Sequence, residues 1–94
     1  MTPEEHAVGS QIRRDYAALT LKQMAYSDHL RSEKADILRG IEEGTLYFES
    51  GLQLWEEAQS RTRNELSDCA REGEELSVRR ARFYSALHAK HGST

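Results

Sequence analysis

The stretch that decides the fold is residues 48–87, FESGLQLWEEAQSRTRNELSDCAREGEELSVRRARFYSAL. Within it, steps of four and three residues alternate without a break through twelve positions, most of them apolar: Phe48, Leu52, Trp55, Gln59, Thr62, Leu66, Cys69, Gly73, Leu76, Arg80, Phe83 and Leu87. A repeat of 3.5 residues held over several heptads is typical of a helix that packs along a left-handed seam. The pattern therefore predicts one long helix with a second helix along its inner edge.

The residues before this stretch carry a matching pattern. Thr2 and Glu5 have the spacing of a capping box, with Pro3 in the first turn. Further on, a stripe of mostly apolar and aromatic residues recurs at three- and four-residue steps and is interrupted by Glu33: Ile12, Tyr16, Leu19, Gln23, Tyr26, Leu30, Ile37 and Ile41. The pattern predicts a first helix over about 3–43.

Gly44 and Thr45 predict the connection between the two arms. Glycine suits the left-handed position just past a helix end, and threonine suits the N-cap of the next helix. Ser50-Gly51 is a second possible break, because Ser50 and Gln53 also have capping-box spacing. We place the turn at about 44–45, which divides the chain into arms of similar length.

With a second helix over about 46–90, residues 1–94 form a single all-α domain, a long antiparallel two-helix hairpin that resembles a coiled coil. Folding back at this turn places Ile41 opposite Phe48 and Tyr16 opposite Gly73. A large ring would then fill the space left by a glycine, as close packing of helices requires.

Composition narrows the class of protein. Hydrophobic residues make up 37% of the chain and charged residues 31%, a balance that suits long amphipathic helices. No run of eighteen apolar residues and no secretory signal pattern is present, so we expect no membrane partner. The single cysteine, Cys69, fits a reducing compartment, and we expect the chain to be cytoplasmic.

The residues predict no catalytic, cofactor or metal site. His88 and His91 share a helix face, but Cys69 is about 28 Å away along the same helix. Cys69 itself lies on the apolar seam, where a free cysteine acts as a small hydrophobic residue. Adjacent carboxylates such as Glu74 and Glu75 diverge by about 100° on a helix, so they are not dyads. We therefore expect a protein that is not an enzyme.

The first arm has more apolar surface than one helix can cover. Leu21, Met24 and Leu38 lie outside its main stripe, and Trp55 of the second arm has Tyr47 and Leu54 close in sequence. We interpret these six residues as partner-binding, because small two-layer units need a further layer over such surface. The leading hypothesis is an adaptor or chaperone-like hairpin that binds partner helices, as a heteromer or as a homodimer forming a four-helix bundle.

A basic cluster near the end of the second arm supports an alternative. Arg79, Arg80 and Arg82 follow a stretch, residues 56–75, in which acidic residues outnumber basic ones seven to three. The three arginines suit either phosphates, in a small nucleic-acid-associated regulator, or carboxylates of a second protein chain. The net charge of −3 makes a nucleic-acid partner the less expected of the two.

Overall fold

A computed structural model describes residues 1–92 as two helices, α1 (Pro3–Glu43) and α2 (Phe48–His91). Their extents of 71 × 18 × 15 Å make a thin rod, in which the end of α2 returns to the start of α1. The predicted all-α antiparallel hairpin is confirmed; pairing of two such hairpins lies outside what a single chain shows.

The start of α1 is fixed by its predicted capping box. The backbone N–H of Glu5 donates to the Thr2 hydroxyl at 3.1 Å, and the backbone N–H of Thr2 donates to the Glu5 carboxylate at 3.4 Å. Pro3 follows in the first turn, where its missing N–H costs nothing. Two of the donors that a helix start leaves unpaired are thereby satisfied.

The turn begins at Gly44, which has the left-handed φ of 79° that glycine adopts without strain. The Gly44 N–H donates to the carbonyl of Ile41 at 3.2 Å, and the Thr45 N–H donates to the carbonyl of Gly40 at 3.0 Å. This pair of bonds is a Schellman motif. Leu46 packs against this turn, since its Cβ lies 3.2 Å from the position that a Cβ on Gly40 would occupy.

The prediction that Thr45 caps the second helix is wrong. The Thr45 hydroxyl donates backward to the carbonyl of Gly40 at 3.2 Å, so it serves the end of α1. Tyr47 is the N-cap of α2 and makes no side-chain capping bond. The helix consequently begins at Phe48, two residues later than expected, and continues unbroken through Ser50 and Gly51.

The longer turn changes the register of the two helices. The hydroxyl groups of Tyr16 and Ser77 lie 3.2 Å apart, so Tyr16 faces a residue one helical turn beyond Gly73. A Cβ at Gly73 would have Leu19 as its nearest cross-helix neighbour, at 3.6 Å. The predicted pairing of Tyr16 with Gly73 is therefore wrong, because α2 starts later and each α1 residue faces a later residue of α2.

The core is a narrow seam of mostly small residues. In the described part of the chain, the buried residues are few: Gly9, Ile12, Leu19, Gly51, Ala58, Thr62 and Cys69. On α2, Gly51 and Ala58 occupy inner positions that the sequence pattern assigned to Phe48, Leu52 and Gln59, all three of which are exposed. Small inner residues let the helices approach closely, and this close approach leaves the larger side chains at the edges of the seam.

Large residues do pack against glycines, at positions other than the one expected. A Cβ on Gly51 would lie 2.8 Å from Cδ1 of Ile41 and 3.3 Å from Cγ2 of Ile37. A Cβ on Gly9 would lie 3.3 Å from the ring of Phe83. Gly51 and Gly9 are thus the two glycines that the seam needs, one near each end of the rod.

These contacts predict opposite outcomes for substitutions at two helical glycines. Gly73→Ala should raise the free energy of unfolding by up to about 1 kcal/mol, because alanine is the better helix former and the space is open. Gly51→Ala should raise the free energy of unfolding by less than Gly73→Ala does. Gly51→Leu should lower it by about 1–3 kcal/mol, because the larger side chain overpacks the seam. Urea unfolding followed by circular dichroism measures all three. A Gly51→Leu variant as stable as the parent would contradict the seam geometry.

Candidate protein-interaction surface

An apolar groove lies beside the turn, between the last turns of α1 and the first turns of α2. We call it the turn-end groove, and it has a volume of about 190 Å³. Its exposed lining is apolar, and its walls are formed by residues of both helices: Lys34, Ile37, Leu38 and Ile41 of α1, and Phe48, Gly51, Leu52 and Trp55 of α2. The groove exists because Gly51 brings the helices together beneath it, which pushes Phe48 and Leu52 to its rim.

Two of the predicted partner-binding residues, Leu38 and Trp55, line this groove. Leu38 is about half exposed, and the indole of Trp55 is partly covered. The Lys34 ammonium lies over the Trp55 ring, 5.8 Å from its centroid, so a cation covers part of the ring. Phe48 is 63% exposed and is the most exposed apolar side chain of the lining.

Tyr47 and Leu54 lie near the groove but do not line it. Tyr47 is 83% exposed at the N-cap of α2, and Leu54 is about half exposed on another face of the same helix. Sequence proximity to Trp55 suggested both residues. Leu54 points about 100° away from the adjacent Trp55, and Tyr47 lies at the N-cap about two helical turns before Trp55.

Acidic residues surround the turn end of the rod. Residues 33–57 hold seven acidic and two basic side chains, whereas the open end, residues 1–16 and 76–92, holds three acidic and six basic ones. The two ends of a 71 Å rod therefore carry opposite net charge. The turn end as a whole is therefore negative, while the charged residue that lines the turn-end groove itself is Lys34.

Leu21 and Met24 form a separate apolar patch on α1. They are 66% and 56% exposed, and they lie on the side of α1 that faces away from α2. Leu21 is two residues from Leu19 and from Gln23, both on the inner stripe, and two residues are a rotation of about 200°. This outer patch and the turn-end groove are therefore distinct surfaces.

Three ion pairs join the helices along one edge of the seam. They connect Asp15 with Arg79 at 2.7 Å, Lys22 with Glu72 at 3.0 Å, and Glu33 with Arg61. Along α1 the three paired residues are spaced by seven and then eleven positions, and along α2 their partners are spaced by the same numbers in the reverse direction. Such spacings keep residues on one side of a helix, so all three pairs lie on one edge of the seam. Glu72 raises the pKa of Lys22, and hydrogen bonds from Gln11 and then Arg79 lower the pKa of Asp15.

The three arginines of the predicted basic cluster make different contacts within the chain. Arg79 contacts Asp15 of the same chain, and the Arg80 guanidinium lies 5.8 Å from the ring centroid of Tyr84. Arg82 lines a shallow hollow on the outside of α2 together with Arg79. The sequence pattern did not pair any of these arginines with an acidic residue of α1, whereas the fold brings Asp15 of α1 into contact with Arg79.

At the open end, a cluster of polar side chains around Glu5 joins α1 to α2. Its carboxylate lies 3.3 Å from the Lys90 ammonium and 3.0 Å from Nε2 of His91. The hydrogen bond with His91, followed by those with Thr2 and Lys90, lowers the pKa of Glu5 from 4.5 to about 2. Glu5 thus completes the cap of α1 and also binds the last turn of α2.

Sequence reasoning missed the cross-helix ion pairs and the Glu5 cluster. The signal was present in the sequence, because Asp15, Lys22 and Glu33 have the same spacing as three residues of opposite charge on α2. It becomes visible only when charges are compared in the correct register. Glu33 had appeared as an interruption of the apolar stripe, and its role is to bind Arg61.

The described residues 1–92 were predicted to hold no metal or catalytic site. No group of three or more His, Cys, Asp or Glu side chains there could hold a metal ion. His91 contacts Glu5, and Cys69 is fully buried as a free thiol. Neither described helix has a segment long and apolar enough to cross a membrane.

Comparison with known proteins gives no match. No family model, no curated protein and no solved structure is significantly similar to this chain.

The Glu5 cluster predicts a dependence of stability on pH. Because folding lowers the pKa of Glu5, its contribution is fully present above pH 4.5 and is lost as pH falls towards 2. The urea midpoint should fall between about pH 5 and about pH 3, and it should fall less in Glu5→Gln. Glu4→Gln, in the same turn, is the matched control and should behave like the parent. Equal losses in Glu5→Gln and the parent would show that the cluster does not form.

Proposed function

We propose that this chain is a non-enzymatic protein-interaction module, an adaptor or chaperone-like hairpin. Its turn-end groove binds an amphipathic helix of another protein. The observation that carries the proposal is the groove itself, an apolar channel between two helices with Phe48, Leu38 and Leu52 exposed along it. Helix-in-groove recognition uses such a channel, filled by side chains at positions i, i+3 or i+4, and i+7 of the ligand.

The groove has the features of an interaction hot spot. Trp55 supplies a large ring whose position is held by the seam beneath and by Lys34 above. Tryptophan and other aromatic residues are enriched among the residues that dominate binding energy, especially where packing excludes water. An incoming apolar side chain would cover Phe48 and Leu52 and remove their surface from water, at about 25 cal/mol per Å².

The net negative charge of the turn end favours a basic ligand. With seven acidic and two basic residues in 33–57, the turn end attracts a helix whose polar face carries lysine or arginine. Complementary charge mainly speeds association and selects among partners, while the apolar contact provides affinity. We therefore propose a basic amphipathic helix as the ligand class, in a reducing compartment such as the cytoplasm.

The use of the charged groups supports a role without catalysis. Asp15, Lys22, Glu33 and Glu5 are each paired with a group on the opposite helix. These pairs stabilise the hairpin, and they leave no arrangement of acid, base and nucleophile around the turn-end groove. We propose that the chain acts by holding a partner, with no reaction of its own.

The proposal is tested with a fluorescein-labelled helical peptide that has leucines on one face and lysines on the other. Fluorescence anisotropy should show saturable binding. Leu52→Glu should weaken it at least about tenfold, because a charge would enter the apolar channel. Val78→Glu is the matched control, since Val78 is equally exposed but lies outside the groove, and it should bind like the parent.

Two further peptides make this measurement decisive. A scrambled peptide of the same composition keeps the charge but loses the apolar face, and a version with glutamate for lysine keeps the face but reverses the charge. Both should bind more weakly than the original. Equal binding of the scrambled peptide, or no effect of Leu52→Glu, would contradict recognition in the groove.

A nucleic-acid-associated regulator remains the second candidate because the open end of the rod is net basic. Against it, Arg79 and Lys90 already contact carboxylates of α1, which compete with phosphates. An electrophoretic mobility shift with random duplex DNA and RNA at physiological salt should show only weak retention. Submicromolar retention that is abolished by replacing Arg79, Arg80 and Arg82 with glutamine would favour this second candidate.

A further inference from the structure

The outer edge of α1 has a sequence that is self-complementary when read in the opposite direction. At seven-residue steps it presents Ala7, Arg14, Leu21, Asp28 and Ala35, all of them exposed. Residues seven apart fall on nearly the same face of a helix, so these five form one line opposite the seam. Reversed, the line is Ala, Asp, Leu, Arg, Ala, in which only the signs of the charges exchange places.

We infer that this line is an interface for a second copy of the same chain, paired antiparallel about Leu21. In that arrangement Leu21 contacts Leu21 of the second copy. Arg14 of each copy contacts Asp28 of the other, which gives two equivalent pairs. Ala7 and Ala35 meet at the two ends. A two-fold interface requires such a self-complementary surface, because each residue meets its counterpart under the same rotation.

The residues beside this line fit the same arrangement. Met24 opposes Ala17 of the second copy on one side, and Ala18 opposes Ala25 on the other, since both pairs are centred near Leu21. All four are exposed in the single chain. Alanines around the two-fold axis permit a close approach of the two α1 helices, and Leu21 and Met24 then lose their exposure to water.

The charge distribution of the rod selects the antiparallel direction. Leu21 lies near the middle of α1, so two copies paired about it overlap along most of their length. The acidic turn end of each copy then lies beside the basic open end of the other. A parallel pair would place two acidic turn ends together and two basic open ends together, which like-charge repulsion disfavours.

The inference rests on the proposed role in protein binding, and it assigns a second copy to the outer face of α1, apart from the turn-end groove. Multi-angle light scattering of the full chain at high micromolar concentration should give twice the 10.8 kDa of one chain. Leu21→Glu should raise the dimer dissociation constant at least about tenfold, because two carboxylates would meet at the axis. Val78→Glu, which introduces the same charge at an exposed position of α2, should leave it unchanged.

A charge-exchange cycle tests the register. Arg14→Glu and Asp28→Arg should each weaken the dimer, and the double variant should recover most of the loss. On one helix, Arg14 and Asp28 are about 21 Å apart, so coupling between them can arise only across two chains. A double variant that is as weak as the sum of the single ones would overturn the proposed register.

Disulfide formation tests the direction. Ala7→Cys chains mixed with Ala35→Cys chains should cross-link readily, whereas each variant alone should not; Cys69 is fully buried and does not interfere. Cross-linking of Ala7→Cys with itself would show a parallel pair and overturn the inference. So would a monomer at every concentration. A monomer that still binds the basic peptide leaves the proposed function standing, and a dimer that fails to bind it leaves this interface standing.

Discussion

The close approach of two helices along a single narrow seam is the constraint on which the other features of this molecule depend. A Cβ on Gly51 would lie 2.8 Å from the end of the Ile41 side chain, which would have to shift, and Ala58 and Cys69 continue the same inner edge. A seam of small residues buries little apolar surface, because there is little side chain to bury. Larger apolar residues are displaced to its edges, where they form the turn-end groove.

Because the core is thin, polar contacts make up a larger fraction of the interactions between the two helices. Exposed ion pairs contribute only about 0–1 kcal/mol each, so Asp15 with Arg79 and Lys22 with Glu72 add little to stability individually. They do discriminate between registers, since a shift of one helical turn would separate every pair on that edge. Register is thus held by charge and by Gly51, while burial mainly holds the helices together.

The amount that could be predicted from sequence follows the same division. Both helices were predictable, because the capping box at Thr2, the glycine at Gly44 and a 3.5-residue repeat are local signals. The register was not, since Thr45 can cap a following helix or bond back to Gly40, and the choice depends on how Leu46 packs. The inner edge of α2 was misassigned for a related reason: Gly51 and Ala58 add almost nothing to a hydrophobic pattern. Leu38 and Trp55 were assigned to different arms and not to one surface, and only the fold brings them into the same groove, whereas Tyr47 and Leu54 were grouped with Trp55 by sequence distance alone.

The two proposed surfaces support each other without overlapping. An antiparallel pair centred on Leu21 would carry its two turn-end grooves towards opposite ends of the assembly, about 50 Å apart at about 1.5 Å per residue, because the α1 residues of each groove lie between Lys34 and Ile41. A partner with two basic amphipathic helices, or two copies of one partner, would be held at both ends at once. Such bivalent binding raises overall affinity well above that of one groove, provided that the spacing of the two helices matches the rod.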